Sequence, residues 1–258
     1  MWDRISDRTY WCISCVVSAS LALLLAFQWF REHSGYDPNP GQFDSQSMVD
    51  SYVERYRQEI ATASSEPLIA IPTGVYIKSL RFVNSTDIHL VAFVWQRYGK
   101  DVPAEVKRGI LLPESVDQSQ ASFDEAYRHL DEDGSEVIGW HINTTLRQNF
   151  DYSKFPLDHK RVWMRFWHAD FYRNVILVPD LRSYDSTGMG ETFGVDPQIA
   201  LAGWSIDETF FNYETLGYDT SFGWDPTTIR KRTPELFFNV VVRRYFFNAF
   251  ITNLVPLV

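Results

Sequence analysis

Cysteine is almost missing from this chain: among 258 residues there are two, Cys12 and Cys15, both close to the N-terminus. A domain built on disulfides is therefore excluded, and the fold must be stabilised by its core. The C-x-x-C spacing lies in an apolar run, whereas a redox or zinc site needs a polar, accessible setting. We interpret both cysteines as ordinary residues of an apolar helix. This cysteine usage favours a bacterial envelope protein over a small secreted animal domain.

Positive charge and catalytic motifs are also scarce. The 24 Lys and Arg residues are outnumbered by 33 Asp and Glu residues, which gives a net charge of -9. A nucleic-acid-binding protein would show a basic surface, so we expect no nucleic-acid partner. No G-x-S-x-G, phosphate-loop or H-E-x-x-H motif occurs. The sequence therefore predicts neither an enzyme nor a cofactor or metal site.

Apolar residues, in contrast, are plentiful, at 45% of the chain, with aromatic residues at 16%. Residues 11–30 carry no formal charge, and about twenty such residues suit one membrane crossing. Trp11, Trp29 and Phe30 lie at its edges, where membrane-interface aromatics are typical. We predict that residues 1–30 are an uncleaved anchor in contact with lipid. The alternative is a cleaved signal sequence, and both place the bulk of the chain outside the cytoplasm.

Residues 31–66 read as a linker followed by an amphipathic helix. Residues 31–43 are rich in Pro, Gly and Asn, which is typical of a linker. Met48, Tyr52, Tyr56 and Ile60 then recur every four residues, which places them on one helical face. We expect this apolar face to pack on the following domain.

From Gly74 onward the pattern indicates β-structure. Two runs rich in β-branched and aromatic residues, 75–83 and 88–95, flank an Asn-Ser-Thr-Asp turn and predict a hairpin. Further short strands are predicted at 110–112, 136–141, 162–167, 175–178, 202–211 and 236–242. Many short strands with turns between them are typical of a sandwich. We therefore predict a mainly β fold, with residues 67–243 as an immunoglobulin-like β-sandwich.

The C-terminal segment has an unusual arrangement of charge. Arg243 and Arg244 are followed by an almost charge-free apolar stretch that contains Pro256. Residues 244–258 are shorter than the roughly twenty residues that span a bilayer. We interpret them as the start of a membrane helix, and we expect the chain to be a fragment of a longer protein.

A family resemblance rests on two motifs and on the order of features along the chain: the predicted hairpin, a Phe-Pro-x-Asp motif, Trp204 on a late strand, an aromatic-rich loop and then the arginine. Residues 155–158 read Phe-Pro-Leu-Asp, which resembles the Phe-Pro-Phe-Asp motif of pentameric ligand-gated ion channels. Arg244 precedes Pro256 by twelve positions, as does the arginine before the first membrane helix in that family. Animal members bracket the motif with two cysteines; Gln148 and Val162 stand there in this chain, which is similar to bacterial members without the disulfide. The resemblance implies a homo-pentamer that couples ligand binding to ion passage.

The resemblance also implies which residues couple the β-domain to the membrane. Asp158 with Arg244 is the leading pair, because a carboxylate and an arginine form a charge-assisted, often bidentate bond. Asp87 is the third candidate. The coupling set is Asp87, Phe155, Pro156, Asp158, Arg243 and Arg244. The alternative is that Asp158 caps a turn while both arginines meet lipid headgroups.

Ligand recognition in this family uses aromatic side chains from several loops. The candidates by position are Trp95, Trp167, Tyr218, Phe222 and Trp224, and aromatic faces suit cations. The ligand is an unidentified small molecule, and core packing stays the alternative for each ring. An alternative for the whole protein is an extracytoplasmic sensor domain between two membrane helices, as in chemoreceptors and sensor kinases.

Overall fold

The computed structural model describes residues 7–34, 41–63, 66–116, 122–156, 158–224 and 232–245. The fold is mainly β, with two helices that precede the strands. The elements are α1 (Asp7–Ser34), α2 (Gln46–Ala63), β1 (Ile69–Phe82), β2 (Asp87–Tyr98), β3 (Ser122–Leu130), β4 (Glu136–Arg147), β5 (His159–Phe166), β6 (Val175–Pro179), β7 (Trp204–Gly217) and β8 (Arg232–Arg244). A single 3-10 turn, Leu181–Ser183, follows β6.

The strands form two sheets. The larger sheet has the order β3-β4-β2-β1-β6, and the smaller has the order β5-β8-β7. All pairs are antiparallel except β1 with β6, which run parallel. Most of the buried apolar side chains of both sheets belong to one continuous core. The hairpin predicted from the turn at residues 84–87 is formed by β1 and β2.

Strand β2 shows why the sequence folds in this way. Ile88, Leu90, Ala92 and Val94 are fully buried, and the side chains between them are less buried. Because successive side chains of a strand point to opposite faces, this alternation turns one face of the sheet toward the core. The same alternation recurs along β5.

Strand β3 is absent from the sequence prediction. Its sequence, SFDEAYRHL, carries charge along its length, and almost every residue is exposed. It lies at the edge of the larger sheet and pairs with β4 alone. Backbone pairing places this segment in the sheet, and such pairing leaves little trace in the side-chain pattern. The run predicted at 110–112 contributes an isolated bridge between Leu111 and Trp167 instead of a full strand.

Helix α2 packs on the sheets through a stripe that differs slightly from the predicted one. Ile60 is buried as expected, but Val49, which is only 1% exposed, replaces Met48, which is 43% exposed. Tyr52 stacks on Tyr213 of β7 with ring centroids 4.5 Å apart. The apolar face is therefore rotated by one residue at its first turn.

Helix α1 is the one helix in the described part of the chain that is long and apolar enough to cross a membrane. Its side chains are exposed along almost the whole helix. An apolar helix without protein around it suits a lipid environment, and an N-terminal signal sequence has the same properties. The predicted C-terminal membrane segment with Pro256 lies outside the described residues.

Candidate functional site

The loop that joins β4 to β5 ends beside the last residue of β8. In the β5–β8 ladder His159 pairs with Arg243, so the residue before β5 lies next to the residue at the end of β8. Arg244 donates from Nε to Asp158 Oδ1 at 2.6 Å and from Nη2 to Asp158 Oδ2 at 3.3 Å. The backbone N–H of Arg244 also donates to the carbonyl oxygen of Asp158 at 3.2 Å. The pairing expected from the sequence is thus present and bidentate.

A second cation shares the same carboxylate. Lys160 Nζ lies 2.8 Å from Asp158 Oδ2, and the side chains of Lys160 and Asp158 are 1% and 2% exposed. Burial alone would raise the pKa of Asp158, but the hydrogen bonds from Arg244 and Lys160 outweigh it and hold the pKa below its usual value. Asp158 is therefore a charged, buried carboxylate with two cationic partners.

Aromatic rings cover both cations. Lys160 Nζ lies 3.7 Å from the ring centroid of Tyr152. The guanidinium of Arg244 lies 4.0 Å from the ring of Trp204 and 4.9 Å from that of Phe155. Trp204 stands opposite Arg244 in the β7–β8 ladder. Such contacts attract a cation through the negative face of the ring.

Lys160 and Tyr152 are site residues that the sequence prediction missed, and Trp204 was expected on a late strand but not as a contact of Arg244. One signal was present for Lys160: two residues apart in an extended chain, Asp158 and Lys160 point to the same face. Trp204 carried no such signal, since its position depends on the register of β7 against β8. Tyr152 also donates through its hydroxyl to the carbonyl oxygen of Ser85, at 2.9 Å. The β1–β2 turn is thereby connected to the loop that carries Asp158.

Asp87 belongs to a different ion pair, so the prediction that it joins Asp158 and Arg244 was wrong. Arg147 at the end of β4 donates to both of its carboxylate oxygens, at 2.8 Å and 3.1 Å. Asn84 donates to it as well, at 2.9 Å. The hydrogen bonds from Arg147 and Asn84 lower the pKa of Asp87. Asp87 thus fixes the β1–β2 turn to the end of β4, through a partner sixty positions away that the sequence did not reveal.

Arg243 and the ends of the loop are also held. Arg243 lies 3.2 Å from Asp207 on β7, on the opposite side of the strand from Arg244. Gln148, which is 3% exposed, donates to the carbonyl oxygen of Trp163 and accepts from its backbone N–H at 3.3 Å. This side-chain amide joins the start of the loop to β5, next to Val162. The Phe155–Pro156 peptide bond within the loop is cis.

A second candidate site lies at the other end of the smaller sheet. The rings of Trp167, Tyr218 and Phe222 are in contact. The ring centroid of Trp167 lies 5.6 Å from that of Tyr218 and 5.9 Å from that of Phe222. Phe171 contacts Trp167 and Phe222. We call these four rings the aromatic cluster. Phe222 adopts a φ of 53°, which is unusual for a bulky residue.

The other two aromatic candidates have different surroundings. Trp224 stacks on Tyr172, with ring centroids 3.9 Å apart, at the margin of the aromatic cluster. Trp95 lies elsewhere: its Nε1 donates to Asp180 at 2.9 Å. Its indole covers Gly74, where an added Cβ would stand 2.2 Å from the ring. Trp95 thus packs on β1, and its assignment to the aromatic box is not supported.

Below the aromatic cluster lies a group of buried charges. Arg165 contacts Glu114 and also Glu235, the latter at 3.3 Å. Tyr218 donates through its hydroxyl to Glu235 at 2.5 Å. Burial raises the pKa of Glu114 more than the neighbouring Arg165 lowers it. Two carboxylates face one guanidinium, which leaves an excess of negative charge when both are ionised.

Three polar atoms in this region have no hydrogen-bond partner among the described residues. They are Glu114 Oε2, Arg165 Nε and Trp167 Nε1, and all three are buried. Buried polar atoms are usually paired with protein or water. The cleft at the aromatic cluster is lined by residues that include Trp167, Phe171, Tyr218, Phe222 and Glu235, and it has a cavity volume of about 60 Å³. Small-molecule pockets are typically about 300–1,000 Å³, so additional surface is needed to enclose a ligand here.

Within the described ranges, no group of three or more His, Cys, Asp or Glu side chains is arranged to hold a metal ion. The chain matches no known protein-family pattern and no curated protein.

Proposed function

We propose that this chain is the extracytoplasmic ligand-binding part of a pentameric ligand-gated ion channel, with an immunoglobulin-like β-sandwich. The observation that carries the proposal is the bidentate contact between Asp158 and Arg244. It joins the Phe-Pro-Leu-Asp loop to the residue from which the chain continues into an apolar segment. A movement of that segment would therefore displace Arg244 and, through the contact with Asp158, the loop of the β-domain.

The connected contacts around this pair support a coupling role. A path of adjacent groups runs from the β1–β2 turn through Tyr152 and Lys160 to Asp158 and Arg244. Because the path includes two loops and the ends of two strands, it can respond to changes in either sheet. Asp158 is the member on which this group depends, since its removal would leave two cations without an anion, and breaking a buried pair in this way typically costs about 3–5 kcal/mol.

The aromatic cluster supports a ligand site at the opposite end of the same sheet. Its four rings, with negative charge below them, suit a ligand that carries a positive group. The cleft is too small in a single protomer, and a neighbouring copy would supply the missing wall. Exposed apolar side chains on β3 offer a surface for such a copy: Phe123, Tyr127 and Leu130 are 40%, 46% and 70% exposed. Apolar exposure of this kind on an edge strand favours contact with another chain.

The proposal is tested by mass measurement and conductance on the full-length protein in detergent and in planar bilayers. A ring of five copies that carries ion current is the expected result. Two copies without current would overturn the channel and favour the sensor domain between two membrane helices. The variant Asp158→Ala serves as a comparison, since it should impair current or assembly of the ring.

A further inference from the structure

Lys160 is held in a position that Arg244 does not share. Its side chain is 1% exposed, and it bonds to Asp158 at 2.8 Å. It also donates to the carbonyl oxygen of Asp151 and lies over the ring of Tyr152. Lys160 belongs to the body of β5, where it pairs with Val242 of β8. It is therefore fixed within the smaller sheet.

Arg244 is placed at the boundary instead. It is the last residue of β8, and its side chain is 18% exposed. Its guanidinium packs over Trp204 at 4.0 Å, a contact that does not depend on Asp158. Arg244 thus has a second source of stabilisation when its distance from the carboxylate changes.

The number of charges determines what happens if Arg244 withdraws. In an isolated buried pair, loss of one partner leaves an uncompensated charge, and that is what makes separation costly. Here the carboxylate of Asp158 keeps Lys160 as a partner. The group as a whole has one anion and two cations, so the state without the Arg244 contact is electrically balanced.

We propose that Lys160 is a resident counter-ion for Asp158, a positioning residue that makes the Asp158–Arg244 contact able to open and close. Lys160 holds the carboxylate charged and oriented while Arg244 moves with the segment that follows it. This role rests on the proposed function, because a coupling contact must be reversible. Without Lys160, Arg244 would be the one cation beside Asp158 among the described residues, and separating the two would leave the buried carboxylate uncompensated.

The test is a double-mutant cycle on the full-length protein. Urea unfolding in detergent, monitored by tryptophan fluorescence, measures the stability of each variant. Arg244→Met alone should change the unfolding equilibrium constant by less than about tenfold, because Lys160 still compensates Asp158. In the Lys160→Met background, Arg244→Met should change the unfolding equilibrium constant by more than about a hundredfold, since the buried carboxylate of Asp158 then has no cation beside it. Lys78→Met is the matched control: Lys78 pairs with Asp196 on the surface, and its effect should be additive with Arg244→Met.

In a second comparison, the effect of Lys160→Met on the free energy of unfolding should change sign. Lys160→Met should destabilise the wild type but should stabilise the Asp158→Asn variant, in which two cations lie together without an anion. A lysine that served packing alone would destabilise both backgrounds equally. Should Asp158→Asn fail to fold, recovery of folding in Asp158→Asn/Lys160→Met gives the same answer.

These measurements need neither ligand nor current, so they separate this inference from the proposed function. Additive effects of Lys160→Met and Arg244→Met would overturn the counter-ion role, even in a ring of five copies. A non-additive cycle in a protein that forms dimers would leave the counter-ion role intact and overturn the channel.

Discussion

At the scale of single residues, the two buried charge groups differ in how well they are compensated. Asp158 has two cations within hydrogen-bonding distance, and its pKa is lowered. Glu114 shares Arg165 with Glu235 and has one oxygen without a partner among the described residues. Its pKa is raised, chiefly by burial. The carboxylate at the end of β8 is therefore stabilised in its charged form, and the one below the aromatic cluster is not.

The raised pKa of Glu114 has a consequence for stability. The folded state binds this proton more tightly than the unfolded state does, so ionised Glu114 costs stability above its folded pKa. We expect Glu114→Gln to leave the unfolding temperature at pH 7 unchanged or higher by up to about 4 °C, which is what about 1 kcal/mol gives in a domain of this size. The difference should shrink as the pH falls through the folded pKa and Glu114 becomes protonated. Thermal unfolding of both proteins between pH 7 and pH 4 measures it, with Glu132→Gln as an exposed control; a difference that grows at low pH would contradict the sign.

Trp95 was predicted to contact a ligand because it is aromatic, but its indole packs on Gly74 of β1. An added Cβ at Gly74 would stand 2.2 Å from its indole. Gly74→Ala should therefore destabilise the fold by about 1–3 kcal/mol, because the ring must move in a packed region. Gly99→Ala is the matched control, since an added Cβ there meets nothing within 4 Å. Urea unfolding compares the two, and equal stability would mean that the indole is free to move.

At the scale of elements, the helix before the two sheets is fixed by aromatic contacts. Tyr52 of α2 stacks on Tyr213 of β7 and lies edge-on to Phe43, 5.6 Å away. Tyr52→Ala should lower the free energy of unfolding by about 1–3 kcal/mol. Met48→Ala, on the exposed side of the same helix, should change it by less than about 0.5 kcal/mol. Similar losses for both variants would show that α2 is not fixed by this face.

The same elements show what the sequence could and could not predict. β1 and β2 were predicted because two runs rich in β-branched and aromatic residues flank a turn, and β8 was predicted because residues 236–242 form an almost continuous apolar run. β3 was missed, since its apolar residues Phe123, Tyr127 and Leu130 are separated by charged residues and do not alternate with the period of a strand. The contact of Asp158 with Arg244 was expected from the resemblance, whereas Asp87 was assigned to the wrong partner because Arg147 approaches it only through the register of β2 with β4. Trp204 needed a register as well, and no local pattern encodes one.

At the scale of the whole molecule, α1 and the β-domain differ in where their apolar side chains lie. α1 exposes apolar side chains along almost its whole length, while the sheets bury theirs in a common core. Such a helix is stable when lipid surrounds it. The sequence prediction places the β-domain on the outer side of that membrane.

This topology can be tested by cysteine labelling, because native cysteine occurs only at Cys12 and Cys15 within α1. In bacterial spheroplasts, Glu132→Cys should react with a membrane-impermeant maleimide, since Glu132 lies in the exposed turn between β3 and β4. Asp3→Cys, which precedes α1, should react only after lysis, and the unmodified protein should stay unlabelled because lipid shields its two cysteines. Protection of Glu132→Cys until lysis would place the β-domain in the cytoplasm and contradict the proposed orientation. Loss of the Asp3→Cys label from the mature protein, together with a smaller mass, would identify α1 as a cleaved signal sequence and leave the outer position of the β-domain unchanged.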